Sequence, residues 1–336
     1  MSARPAPAVI GALGAGRMGR GIATAFAYAG HETWLIDVKP REPADAVALV
    51  QDARAEIDGS LAALAALGAF DDRQRPAIVE RIHFALRDQA PAALARVDLL
   101  FEGVPEVMEI KRDAFAFAGA HLKADAIVAS TTSTFLVNEL AEIVPGSERF
   151  LNAHWLNPAY IIPLVELSPH AQTAPAVTAR LRNLLEAIGK VPVVCAATAG
   201  YIVPRLQTLI MNEAARMVEQ GVATAEEIDK ATRFGLGFRY ANIGVIEFID
   251  FGGNDILYYA SRYLATALGD PRYASPAIVN RHMQEGHNGL RDGKGFYDFS
   301  GVDLNQYKKE VLGRMLGMLK HLDLMRPPGI AQGDSR

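Results

Sequence analysis

The stretch Arg149-Phe-Leu-Asn-Ala-His154-Trp-Leu-Asn157-Pro158-Ala-Tyr-Ile-Ile-Pro-Leu-Val-Glu166-Leu sets a histidine, an asparagine and a glutamate among apolar residues. Burying an uncompensated polar side chain costs about 1–3 kcal/mol, so these three need partners or a task. The plain alternative is a satisfied core histidine. The chemical reading is a proton transfer: removing hydride from a secondary alcohol needs a base for the hydroxyl proton, and imidazole titrates in the useful range. His154 suits the base. A carboxylate on its other ring nitrogen fixes the tautomer and stabilises the imidazolium, a role that suits Glu166. Asn157 and Ser133 have the right chemistry to hold the substrate oxygen or a nicotinamide carboxamide.

An acceptor for that hydride is implied near the start of the chain. The apolar run Ala8 to Leu13 leads into Gly14-Ala-Gly16-Arg17-Met18-Gly19 and then a helical stretch, Ile22 to Ala29. In a strand–turn–helix unit the first glycine allows the turn, the second lets backbone N–H groups approach a pyrophosphate, and the third lets helix pack on strand. A second strand, Glu32 to Val38, places Asp37 where a carboxylate meets the adenosine ribose hydroxyls. Its charge repels a 2′-phosphate and favours NAD over NADP, although Lys39 and Arg41 follow closely enough to offset some of that repulsion.

Residues Arg41 to Arg87 are alanine-rich and read as a helical excursion, with the apolar spacing broken near Gly59. Strands resume at Ile82-His-Phe-Ala-Leu, Val97-Asp-Leu-Leu-Phe, Ala126-Ile-Val-Ala-Ser, Arg149 to Trp155 and Leu164-Val-Glu-Leu. The alternation predicts an α/β, doubly wound, mostly parallel sheet, whose ligands belong at the carboxyl ends of its strands. Glu102-Gly-Val-Pro-Glu106, Ser130-Thr-Thr-Ser133 and His154 to Asn157 all follow a strand. Their structural alternatives are a helix cap at Ser130 to Ser133 and a solvated ion pair between Glu106 and Lys111.

Beyond Thr198 the spacing predicts helices over Tyr201 to Gln220, Glu226 to Phe234, Ile243 to Phe251, Ile256 to Leu268, Ser275 to Glu285 and Gln306 to Leu324, with loops at Gly253 to Asp255 and Gly286 to Gly295. The expected organisation is a dinucleotide domain over 1–197, an all-helical domain over 198–325 and a frayed tail over 326–336.

Composition narrows the partners. The formal charge of −4 over 336 residues forms no basic stripe, which argues against nucleic acid. No apolar run reaches the roughly 20 residues of a membrane span, and the first residues lack a signal core, so the chain reads as cytoplasmic. The one cysteine, Cys195, excludes an internal disulfide and sits in what looks like a buried strand, Val-Pro-Val-Val-Cys-Ala. His282 and His287 flank Glu285 without a ligand cluster and read as surface histidines, so no metal is expected.

Together the glycine turn, Glu-x-x-x-Glu with a following lysine, the Ser/Thr turn, His-x-x-Asn-Pro and the downstream glutamate resemble the L-3-hydroxyacyl-CoA dehydrogenase family. Gly200-Tyr-Ile-Val-Pro204-Arg-Leu-Gln, Gly221 to Gly237 and Gly293-Lys-Gly-Phe-Tyr extend the match over nearly the whole chain. The resemblance implies a Rossmann-type sheet with a helical second domain, a homodimer, a small-molecule substrate, the pair His154 and Glu166 in catalysis, Ser133 and Asn157 at the substrate, and Glu106 and Lys111 against the cofactor.

Three departures bear on the substrate. The family usually has asparagine before the arginine of Val-Asn-Arg-Leu, and Pro204 stands there; it donates no hydrogen bond. Thr198 is the expected cap of the helix that holds Pro204 in its first turn. The 41–87 excursion has no lysine cluster for the phosphates of coenzyme A. Gly235-Leu-Gly-Phe-Arg239-Tyr240-Ala-Asn-Ile-Gly resembles the L-gulonate 3-dehydrogenase and lambda-crystallin branch, and Arg239 suits a clamp on a free carboxylate or, equally, a structural contact. The favoured reading is NAD-dependent oxidation of an L-3-hydroxy acid or its CoA thioester. The alternatives are an NAD-binding scaffold in which Pro204 has spoiled turnover, and a 3-hydroxyisobutyrate-type dehydrogenase, which would rely on a catalytic lysine.

Overall fold

Ile10–Leu13 form β1, entirely buried, and every later strand of the sheet is placed relative to it. A computed structural model describes residues 7–328; of the expected tail, residues 329–336 lie outside the described residues. By internal contacts the chain divides into two units, one running to Met211 and one from Asn212.

The first unit holds one sheet of β1, β2 (Thr33–Asp37), β3 (Ile82–Leu86), β4 (Leu99–Glu102), β5 (Ile127–Ser130), β6 (Phe150–Trp155), β7 (Leu164–Pro169) and β8 (Val191–Val194), in the order β3-β2-β1-β4-β5-β6-β7-β8. All neighbours are parallel except β6 and β7. Parallel neighbours need a crossover, which the helices α1 (Arg17–Tyr28), α2 (Pro43–Ala66), α3 (Arg75–Val79), α4 (Ala90–Leu94), α5 (Met108–Gly119), α6 (Val137–Ala141) and α7 (Pro175–Ala187) help to build. The short 156–163 link contains no helix and turns the chain straight back, which makes β6 and β7 antiparallel. This is the doubly wound, Rossmann-type sheet predicted, with its switch point where β1 lies between β2 and β4.

Alternation along β6 and β7 sorts the chemistry from the core. Leu151, Ala153, Trp155, Val165 and Leu167 pack into one cluster with Ile22, Phe26 and Phe101. Each such large side chain contributes about 1.5–3 kcal/mol on burial. The intervening Asn152, His154, Glu166 and Ser168 therefore share the opposite face, and all four are buried.

Two expectations in this unit need correction. Gly59 does not break the excursion: α2 runs unbroken from Pro43 to Ala66, since an exposed glycine costs a helix only about 1 kcal/mol and Ala53, Ile57 and Leu61 anchor it in the core. The strand before Cys195 is not buried. It is β8, the sheet edge, with Val191 and Val194 55% and 47% exposed, and Cys195 lies half-buried just beyond it.

The helix α8 (Val203–Glu219) starts in the first unit and ends in the second. The second unit continues with α9 (Ala225–Ala231), a π-helical turn over Thr232–Gly237, α10 (Phe238–Tyr240), α11 (Val245–Gly252), α12 (Asn254–Ala267), α13 (Ala277–Glu285) and α14 (Leu304–His321). The expected 253–255 loop shrinks to Gly253 alone, whose φ of +113° makes the turn between α11 and α12. Asp250, fully buried, accepts the amides of Phe296 and Tyr297 at 3.0 and 2.7 Å. A Cβ on Gly295 would lie 2.1 Å from its Oδ1, so this glycine of Gly-Lys-Gly-Phe-Tyr serves close packing. His282 is buried against Phe296 rather than on the surface.

Candidate active site

Gly14 turns the chain out of β1 with φ +107° and donates its amide to Ile36 O at 2.7 Å. A Cβ on Gly19 would sit 2.0 Å from Gly14 O, whereas one on Gly16 would meet nothing within 4 Å. The first glycine contact is thus internal to the fold and the second faces open space. Helix α1 begins there with Gly16 as its cap, no side-chain cap and no acidic residue in its first turn, so its amides point outward as an anion cradle. Arg17 is exposed and Met18 half-buried against the core. At the end of β2, Asp37 is buried and ion-paired with Arg41. The Lys39 backbone amide donates to Asp37 Oδ1 at 3.4 Å. The open cradle and the acidic strand end fit a dinucleotide.

The loop after β4 is fixed by a buried ion network. Lys111, 1% exposed, donates to both oxygens of the fully buried Glu102 at 2.8 and 3.0 Å and lies 3.0 Å from Glu106 Oε2. Burial pushes the Glu102 carboxyl up, opposed by Lys111, by Ser130 Oγ at 2.5 Å and by the Val104 amide. Glu106 also resists burial; its bonds from the Thr132 and Thr134 hydroxyls and from Lys111 hold it below the usual carboxylate range. The Glu106–Lys111 pair is therefore solvated on the glutamate side alone: Lys111 is buried, whereas Glu106 reaches the surface. It ties the β4 loop to the 131–136 turn, which spans the gap before α6 rather than starting a helix at Ser130.

The antiparallel register sets His154 opposite Glu166, and Nδ1 lies 2.8 Å from Glu166 Oε2. The other oxygen, Oε1, accepts the amides of Ile202 and Val203 at 2.8 and 2.9 Å. Glu166 thus caps α8, in place of the expected Thr198, and Pro204 sits in the first helical turn where no N–H is needed. Burial raises the Glu166 carboxyl, but His154 and the two helix amides outweigh it and hold it below the usual range. Burial and the Glu166 charge push the Cys195 thiol up, away from a reactive thiolate.

Ser133, in the 131–136 turn, and Asn157, just after β6, are both exposed. Asn157 joins Pro158 through a cis bond and, with Arg17, Gly21, Ser60 and Tyr160, lines a cleft of about 180 Å³. Lys190 holds that loop from below: its buried ammonium donates to Ala159 O at 2.6 Å and Ile162 O at 2.8 Å. Arg239 lies in the second unit with its guanidinium over the Phe248 ring, 5.3 Å from the centroid, and among the described residues no acidic side chain pairs with it. Among the described residues no group of three or more His, Cys, Asp or Glu is placed to hold a metal, and no helix is long and apolar enough to cross a membrane. Glu102 belongs to a segment that the sequence already marks, although as a candidate for ligand contact rather than as the buried partner of Lys111; Asn152, Lys190 and Tyr201 carry no assigned role in the sequence, and only Asn152, two residues before His154 on the same strand face, has a local signal.

The sheet, its glycine turn and the acidic end of β2 define a dinucleotide-binding protein. The chain belongs to the 3-hydroxyacyl-CoA dehydrogenase family: the NAD binding domain of that family matches residues 9–198 and its C-terminal domain residues 200–299. It is 28% identical to the 5-formyl-3-hydroxy-2-methylpyridine 4-carboxylate 5-dehydrogenase of Mesorhizobium japonicum over 94% of this chain and 98% of that protein. It is 33% identical to the lambda-crystallin homolog of Bos taurus over 77% of this chain and 78% of that one. Among solved structures, the 3-hydroxyacyl-CoA dehydrogenase of Archaeoglobus fulgidus superimposes with a TM-score of 0.74 at 28% identity, covering 95% of this chain and all of the other. The cofactor is NAD, and the family is one of NAD-dependent oxidoreductases.

Proposed function

We propose that the chain oxidises an L-3-hydroxy acid, or its CoA thioester, to the 3-oxo product, with His154 as general base and Glu166 as its orienter. The observation that carries this is the Nδ1–Oε2 contact of 2.8 Å, made by a carboxylate whose other oxygen is committed to the α8 amides. A carboxylate on Nδ1 puts the proton there and leaves Nε2 to take the hydroxyl proton. NAD, when bound, accepts the hydride. Gly14, Gly16, Arg17, Met18 and Gly19 would hold its pyrophosphate and Asp37 its ribose; Glu106, Lys111 and Ser133 would border the nicotinamide end. Ser133 and Asn157 would hold the substrate oxygen.

Helix α2 favours the free acid. It carries exposed Asp45, Asp52 and Glu56, the last ion-paired with Arg20, against a single exposed cation, Arg54, and no lysine, a balance that offers little attraction to the phosphates of coenzyme A. The Mesorhizobium relative, named for a pyridine carboxylate, points the same way. Arg239, which has no acidic partner among the described residues, is the proposed clamp for that carboxylate. A homodimer in the cytoplasm belongs to the same reading: Ile256, Tyr259 and Tyr263 form an exposed apolar stripe along α12, 60–71% exposed. A coupled screen of free 3-hydroxy acids, sugar acids and 3-hydroxyacyl-CoA thioesters with NAD and NADP tests the proposal. NADH formation should fall at least about a hundredfold in His154→Gln; NAD binding without turnover of any substrate would favour the scaffold alternative.

A further inference from the structure

Tyr201 stands immediately before the two amides that cap Glu166, buried to 5% exposure and with φ +44°, a conformation uncommon for a residue with a Cβ. Its ring stacks on the His154 imidazole, centroids 4.8 Å apart and planes within 10°. Its hydroxyl donates to Thr132 O at 2.9 Å and accepts from Asn152 Nδ2, also at 2.9 Å. Asn152 Nδ2 in turn donates to Phe135 O at 3.1 Å. Three consecutive residues therefore touch both members of the dyad: Tyr201 the imidazole face, Ile202 and Val203 the carboxylate.

We propose that Tyr201 is a positioning residue for the dyad, acting with Asn152. A single hydrogen bond at Nδ1 fixes one point of the imidazole but leaves its broad terminal torsion free. The stacked phenol ring closes that freedom and sets the direction in which Nε2 points. Its hydroxyl bridges β6 through Asn152 and the 131–136 turn through Thr132, while Asn152 itself holds Phe135 of that turn, and together they fix the spacing between His154 and Ser133. The phenol proton is committed to the Thr132 carbonyl, so Tyr201 holds the base rather than relaying its proton. Burial, the first cause, also raises the phenol above its usual range, which keeps it neutral and a donor.

The inference rests on His154 being the base, and its test separates the two. In the full-length protein, NMR of the His154 ring protons needs no substrate: the stack gives an upfield ring-current shift in the wild type and Tyr201→Phe that disappears in Tyr201→Leu. With L-3-hydroxybutyrate and L-3-hydroxybutyryl-CoA as probes, kcat on the one turned over should fall roughly tenfold or more in Tyr201→Leu and severalfold in Tyr201→Phe, with NAD affinity within about twofold of wild type. A kcat for Tyr201→Leu within twofold of wild type, or a His154 resonance that does not move, overturns the proposal. Should that variant not fold, Tyr201→Phe and Asn152→Ala decide it: unchanged kcat in both overturns it, and a drop in kcat at constant KM supports it. Full turnover by His154→Gln would instead sink the reading of His154 as base, whatever the NMR shows.

Discussion

Glu166 serves His154 with one carboxylate oxygen and the first turn of α8 with the other. The division of labour explains why a carboxylate stands there rather than an amide. Glutamine has one acceptor oxygen for two jobs. If that oxygen keeps the Ile202 and Val203 amides, its NH2 faces His154 Nδ1 and forces the proton to Nε2, the wrong nitrogen for a base. Glu166→Gln should therefore lower kcat by about 10³–10⁴-fold, as a wrong tautomer does elsewhere, while NAD affinity measured by fluorescence titration stays within about twofold. A loss of only a few-fold would show that tautomer control lies elsewhere.

The same carboxylate makes stability depend on acid. Its folded value is depressed while its unfolded value is ordinary. Above the usual glutamate range both states are ionised and the stabilisation is complete. As pH falls through about 4 and on toward the depressed value, the unfolded chain binds the proton first and that stability is lost. Glu106 shifts in the same direction and contributes a parallel loss. Urea unfolding of wild type and Glu166→Gln at pH 7 and near pH 4 should show the gap between them narrowing in acid; a gap that widens would contradict the sign.

The glycine turn separates folding from binding. Gly19→Ala places a methyl 2.0 Å from a backbone oxygen, so the variant should lose about 1–3 kcal/mol or more of stability. Gly16→Ala meets nothing in the chain, and Gly16 has φ −80°, which alanine adopts freely. It should keep the wild-type Tm and lose NAD affinity roughly tenfold or more, since the methyl occupies the pyrophosphate cradle. Calorimetry with and without NAD checks both; destabilisation of Gly16→Ala would mean the cradle is internal packing.

Lys111 is the counter-charge for a carboxylate with no access to water. Lys111→Met should cost about 3–5 kcal/mol in chemical denaturation, because it strands Glu102. The double variant Lys111→Met with Glu102→Gln should recover a large part of that loss. If the single variant is as stable as wild type, Glu102 is held by Ser130 and Val104 alone.

Much of this protein is written locally. Glycine spacing, the acidic end of β2 and the two-residue period of Leu-Asn-Ala-His-Trp and Val-Glu-Leu-Ser determine a nucleotide turn and put Asn152 and His154 on one face of β6 and Glu166 and Ser168 on one face of β7, because turn geometry and strand pleat depend only on neighbours in the chain. Which faces meet is a matter of register and of the path between elements. Antiparallel pairing brought His154 opposite Glu166; the approach to α8 then brought Tyr201 onto the imidazole and gave Glu166, not Thr198, the helix cap. Lys111 found Glu102 at the end of a strand where sequence spacing pointed first to Glu106. The valines around Cys195 imply a core strand, yet no residue of β8 records that the sheet stops there. Composition marks a strand; only tertiary contacts decide whether another strand lies beyond it.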